Sequence, residues 1–178
     1  MILKIIQTQE EQNNMGLKIS DLSAIATNAS DTDLFEISDD TGASSYVSKK
    51  ITFQQLYQSI PKSLVVAVSD ETTDLTTGTS KLTFRAPSAM ELIEVRASVN
   101  TAPTTTKIIV DINDSGVSIF STTLSIDPTE KTSTTAGAPA VISDSSIADD
   151  AEITIDIDQI GSGTAGKGLK VTFIYTEA

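Results

Sequence analysis

Three stretches of the chain place residues in patterns that could do chemistry. Gly161-Ser162-Gly163-Thr164-Ala165-Gly166 fits G-x-G-x-x-G, and Lys167 extends it to G-x-x-x-x-G-K. Such loops hold phosphates when a helix begins at their end, because backbone N–H groups and the positive helix terminus converge on the anion. Here Leu169, Val171, Phe173 and Tyr175 follow at a period of two, which reads as a strand. Gly168 also stands where a nucleotide loop carries Ser or Thr for its metal. A long flexible hairpin loop is the expectation. The second stretch, Asp111-Ile112-Asn113-Asp114-Ser115-Gly116, resembles the first half of a calcium loop. The bidentate acid that such a loop needs at its twelfth position falls on Thr122, and strands flank it, so a hairpin turn is expected. The third pattern is acidic: Asp144, Asp149, Asp150, Glu152, Asp156 and Asp158. Paired carboxylates can hydrolyse glycosides, and oxygen clusters can bind calcium. Yet Asp156 and Asp158 alternate with Ile153, Ile155 and Ile157, which places them on the solvated side of a strand.

Composition narrows the chemistry further. The 178 residues include no His and no Cys, which removes imidazole and thiolate nucleophiles, zinc sites and disulfides. The expectation is a non-enzyme with no catalytic residues, no cofactor and no metal. The net charge is −12, divided as −4 over residues 1–61 and −8 over residues 62–178. Both parts repel phosphate backbones, which argues against nucleic acid as a partner. No apolar run approaches the roughly 20 residues of a membrane span. The opening MILKIIQTQ has no small-residue cleavage site after it and reads as structure, not as a leader.

The elements that must position these residues divide the chain in two. From residue 62 the pattern is one of short strands and Thr-rich turns. Ile93, Val95, Ala97 and Val99 alternate with Glu94, Arg96 and Ser98, and Ile108, Val110 and Ile112 point inward with Ile109 on the second face. The final pair, residues 153–158 and 169–176, is the most regular. About eight strands at spacings of roughly 8–15 residues predict an antiparallel β-sandwich or jelly roll over residues 62–178. Residues 1–61 read as a small α+β adaptor. Ser20 is a candidate helix N-cap, and residues 33–37 and 46–51 form a hairpin around Asp39-Asp40-Thr41-Gly42. A helix starting at Thr52 carries Phe53, Leu56, Tyr57 and Ile60 on one face and stops at Pro61. So short a segment cannot bury a core of its own and needs a neighbour. Ile2, Leu3, Ile5, Ile19, Leu22, Leu34, Phe35 and Phe53 are its expected attachment residues. Ile109 and Ile174, apolar on otherwise polar strand faces, are the expected oligomer interface.

Two phrases carry a family resemblance. LKISDLSAIATNASDTDLFEISDDTGASSYVSKKITFQQL resembles the N-terminal module of tailed-phage virion appendage proteins, the capsid-decoration, head-fibre and tail-fibre group. LTFRAPSAMELIEVRASVNTAPTTTKIIVDINDSGVSIFSTTLSIDPTEKTSTT, with AEITIDIDQIGSGTAGKGLKVTFIY, resembles a β-sandwich module of phage fibre tips and small virion surface proteins. The resemblance implies a structural virion protein, assembled in the host cytoplasm as a homotrimer and attached to other virion proteins such as the major capsid protein. The chain lacks the shaft repeats of a full tail fibre, which favours capsid decoration (cement) or a short head fibre. The alternative is a receptor- or glycan-binding tip of the tail or baseplate, with a host-surface glycan as its ligand.

Overall fold

The computed structural model describes residues 34–40 and 46–178. Ile2, Leu3, Ile5, Ile19 and Leu22, and the candidate cap Ser20, lie outside the described residues. The chain divides into two compact units, with the boundary between Gln54 and Gln55.

In the first unit, strands β1 (Leu34–Asp40) and β2 (Tyr46–Thr52) pair antiparallel from Leu34 opposite Thr52 to Asp40 opposite Tyr46. This is the hairpin expected from the two β-prone runs. The helix α1 (Phe53–Ser59) follows at once, with Gln55–Ser59 already in the second unit, and ends before Pro61, whose ring would clash with a continued turn. None of its residues is buried, and Phe53 at its start is half-buried.

The second unit is mainly β, and its strands are antiparallel. They are β3 (Lys62–Ala67), β4 (Gly78–Arg85), β5 (Met90–Ser98), β6 (Ile108–Asp114), β7 (Val117–Ser118), β8 (Phe120–Thr122), β9 (Leu124–Ile126), β10 (Val141–Ile142), β11 (Ser146–Ile147), β12 (Glu152–Gln159) and β13 (Lys170–Glu177). One sheet runs in the order β11-β5-β13-β3 and another in the order β4-β12-β6-β7, with β9 also on β6. A short pair, β8 with β10, stands apart from both.

Alternation decides which side chains enter the core. Ile153, Ile155 and Ile157 of β12 and Ile108, Val110 and Ile112 of β6 are buried, as are Val171, Phe173 and Tyr175 of β13. All belong to one hydrophobic cluster. Phe84 of β4 meets Phe173 of β13 edge-to-face at 5.9 Å between ring centroids, a contact from one sheet to the other. Each such side chain contributes about 1.5–3 kcal/mol when fully buried, so this cluster carries most of the unit's cohesion.

Two expectations are corrected here. The terminal strands β12 and β13 do not form a hairpin, because β12 lies between β4 and β6 while β13 lies between β5 and β3. A central strand with one buried face has the same period of two whichever strand it pairs with, so periodicity could not name its neighbour. The second correction concerns β5. Ile174 pairs with Glu94 and Tyr175 with Leu92, which leaves Ile93 as an extra residue. This β-bulge switches the alternation: Met90 and Leu92 point inward before it and Val95, Ala97 and Val99 after it. Ile93, expected to be inside, is 54% exposed.

Candidate functional site

The bulge lies beside a groove of about 460 Å3 lined by Ile93, Val95, Leu124, Ser133, Pro139 and Val141, among others. Its size falls in the range of ligand-binding clefts. On the groove side, β5 is covered at both ends. Its start pairs with β11, and the Leu92 N–H donates to the Ser145 carbonyl at 2.7 Å. Toward its end, the Ala97 N–H donates to Ser133 Oγ at 2.8 Å, and the Val99 N–H to the Lys131 carbonyl at 2.9 Å. Ser133 belongs to a 3-10 turn (Ser133–Thr135) capped by the Thr132 hydroxyl. Between these ends no described strand pairs with β5 at Val95. Beside Val95, Glu94 is held by Arg96 through two contacts of 2.6 Å, which lowers the Glu94 pKa chiefly through that hydrogen bonding.

Comparison with family models, with curated proteins and with solved structures finds no match. Among the described residues, no helix is long and apolar enough to cross a membrane.

The Gly-rich stretch connects the two sheets and is not a hairpin loop. Its amides are already engaged by the neighbouring Thr-rich loop. The Ser162 N–H donates to Thr106 Oγ1 at 2.9 Å, the Gly163 N–H to the Thr104 carbonyl at 3.2 Å, and the Thr164 N–H to Thr104 Oγ1 at 2.6 Å. The Gly161 N–H donates to the Ala165 carbonyl at 3.2 Å. Donors turned onto the protein's own backbone and hydroxyls are not free to cradle a phosphate. The glycines serve close approach, because a Cβ on Gly163 would stand 2.5 Å from Thr104 Oγ1.

The stretch from Asp111 forms the end of β6 and the turn into β7, as its turn chemistry suggests. Asn113 pairs with Ser118 and Asp114 with Val117 across Ser115 and Gly116. Both turn residues have positive φ, 50° and 86°, as the tightest hairpin turns require.

The six acids do not converge. Asp144 Oδ1 accepts from the Ser146 N–H at 3.3 Å, and Glu152 pairs with Arg85 at 3.3 Å. Glu152 and Asp158 bracket β12, six residues or about 20 Å of extended strand apart. Among the described residues, no group of three or more acids is placed to hold a metal ion. The close pair is one that sequence spacing did not single out, Asp111 with Asp156, directly opposite on β6 and β12. Strand register, which is invisible in a linear pattern, brings them together. Each carboxylate has its own donors: Ser80 N–H and Asn113 Nδ2 for Asp156, Ser118 Oγ and Ile112 N–H for Asp111. That is the arrangement of two satisfied anions on a sheet face.

Leu34 and Phe35 lie on β1. Ile109 and Ile174 are half-buried and lie on the outward faces of β6 and β13, which belong to different sheets.

Proposed function

We propose that this chain is a structural protein of a tailed-phage virion: a capsid-surface decoration (cement) or short head-fibre subunit, attached through its N-terminal segment. Residues 62–178 are then a β-sandwich of jelly-roll type, and the protein works without catalysis as a homotrimer on other virion proteins, the major capsid protein first. The sequence phrases described above suggest the family. The observation that carries the reading is the division into a small leading unit and a β unit in which the Gly-rich loop and the Asp111–Asp156 pair are hydrogen-bonded to the protein's own groups. Such a layout suits anchoring and display better than turnover.

The outward placement of Ile109 and Ile174 supports a ring in particular. Because they lie on different sheets, a contact using both joins unlike faces of two subunits, and a heterologous contact of this kind makes a ring when its rotation closes and a filament when it does not. The groove beside β5 has no aromatic lining on which a sugar could stack, which disfavours it as the glycan site of a receptor-binding tip.

Deleting residues 1–61 tests the attachment. The β unit is expected to stay folded and to be lost from assembled particles, and normal incorporation of the truncated protein would overturn the reading. Light scattering at low and moderate salt tests the ring. A mass three times the subunit's in both buffers is expected, because the contact rests on apolar burial.

A further inference from the structure

Alternation along β5 sends the N–H and C=O of every second residue to the same side. The Ala97 and Val99 amides point away from β13, to Ser133 Oγ and to the Lys131 carbonyl. Val95, two residues before Ala97 and opposite Phe173 of β13, therefore presents its N–H and C=O to the groove. The sheet edge is thus engaged on both sides of Val95, and at Val95, which is itself buried at the bottom of the groove lining, no strand lies beside it. Open edges are templates for another strand, and folded proteins ordinarily blunt or cover them.

We propose that this gap is a docking site for an extended peptide segment of another protein, one that carries β-branched apolar residues flanked by Lys or Arg. The segment adds as a short strand against Val95. Three features of the site select that ligand. The open backbone pair supplies the main-chain hydrogen bonds on which strand addition depends. The bulge turns Ile93 out of the core, and Val141, also of the groove lining, is 50% exposed, so the lining offers two exposed apolar side chains together with buried Leu124. Glu94 is the one acid in the groove lining, and the chain segments that adjoin the lining carry more acids than bases. Residues 90–98, 127–135 and 141–147 hold five acids, Glu91, Glu94, Asp127, Glu130 and Asp144, against Arg96 and Lys131. Arg96 is committed to Glu94, while Glu91, Asp127, Glu130 and Asp144 accept from hydroxyls or amides. Basic flanks on the peptide complement this rim.

The test uses the full-length protein, labelled with 15N, and three blocked pentapeptides: Lys-Val-Ile-Val-Lys, Glu-Val-Ile-Val-Glu and Lys-Val-Pro-Val-Lys. The first is expected to give saturable shifts centred on the Val95 amide at millimolar peptide or below. The acidic peptide should bind at least about tenfold more weakly, and the proline peptide, which lacks the central N–H, should not bind. Ile93→Ser and Val141→Lys, both at exposed positions, should each weaken binding about fivefold or more and leave the rest of the spectrum unchanged. Absence of a saturable shift, equal binding of the proline peptide, or unchanged affinity in both variants would overturn the proposal. So would a Val95 amide already protected from exchange in an oligomer that Ile93→Ser converts to monomer, because the edge would then belong to a second copy.

Discussion

Asp156 of β12 stands directly opposite Asp111 of β6 on the outward face of their sheet, and the two carboxylates share no donor. Like charges at paired positions are unfavourable, and here each is offset by its own hydrogen bonds. The residual strain falls on Asp158. Atoms packed around its carboxyl desolvate it and raise its pKa, although the residue as a whole is exposed, and the charges of Asp111 and Asp156 add to the rise.

A carboxyl whose pKa is raised on folding opposes stability wherever it is ionised in the native state. The penalty is full above the raised folded value and disappears as the pH falls through it toward the ordinary carboxylate range. Asp158→Asn is therefore expected to stabilise the protein at pH 7 by less than about 1 kcal/mol, the small size reflecting solvent screening. Urea midpoints at pH 7 and pH 4 check this: the gain should be present at pH 7 and nearly gone at pH 4.

Asp70 shows the opposite sign. Its carboxylate accepts from the Thr73 and Thr72 N–H groups at 2.7 and 2.8 Å, and these bonds hold its pKa far below the usual range. A depressed pKa contributes stability above the unfolded value, lost as the pH falls toward the folded one. Asp70→Ala should lower the unfolding midpoint at neutral pH, and the difference from wild type should narrow steadily below about pH 4. Thermal melts across that range provide the measurement.

Two glycines separate close approach from backbone conformation. A Cβ on Gly161 would stand 1.9 Å from the Thr164 carbonyl oxygen and 2.9 Å from Pro103 Cβ. Gly161→Ala must displace one loop or the other, at about 1–3 kcal/mol or more. A Cβ on Gly116 meets nothing within 4 Å, but its φ is +86°. Gly116→Ala should cost about 1–2 kcal/mol from conformation alone. Hydrogen exchange distinguishes them: amides of residues 162–164 should lose protection in the first variant and keep it in the second.

The bulge in β5 makes neighbouring residues unequal. Leu92 is 6% exposed and Ile93 is 54% exposed. Leu92→Ala should cost about 2–5 kcal/mol, whereas Ile93→Ser should fall within about 0.5 kcal/mol of wild type. Comparable losses from both would mean that the alternation runs unbroken and Ile93 is inside.

The strand periods of Ile153, Ile155, Ile157 and of Val171, Phe173, Tyr175 were legible in the sequence, because burial of one sheet face imposes alternation on any strand. The hairpin turn at Ser115 and Gly116 was legible for a similarly local reason: so tight a turn needs two positive φ values. Neighbours were not legible. Nothing in the sequence told that β12 and β13, adjacent in the chain, enter different sheets, or that Asp111 meets Asp156 across 45 residues. Pairing between strands is chosen by how whole faces close over a shared core, and each strand's own pattern is compatible with several partners. The groove beside β5 belongs to the same class. One extra residue opposite Ile174 and Tyr175 turns Ile93 outward and, with β11 and the 3-10 turn at the two ends, leaves Val95 on an open edge. Residue types determined the strands, and tertiary register alone decided which backbone groups remained without a strand beside them.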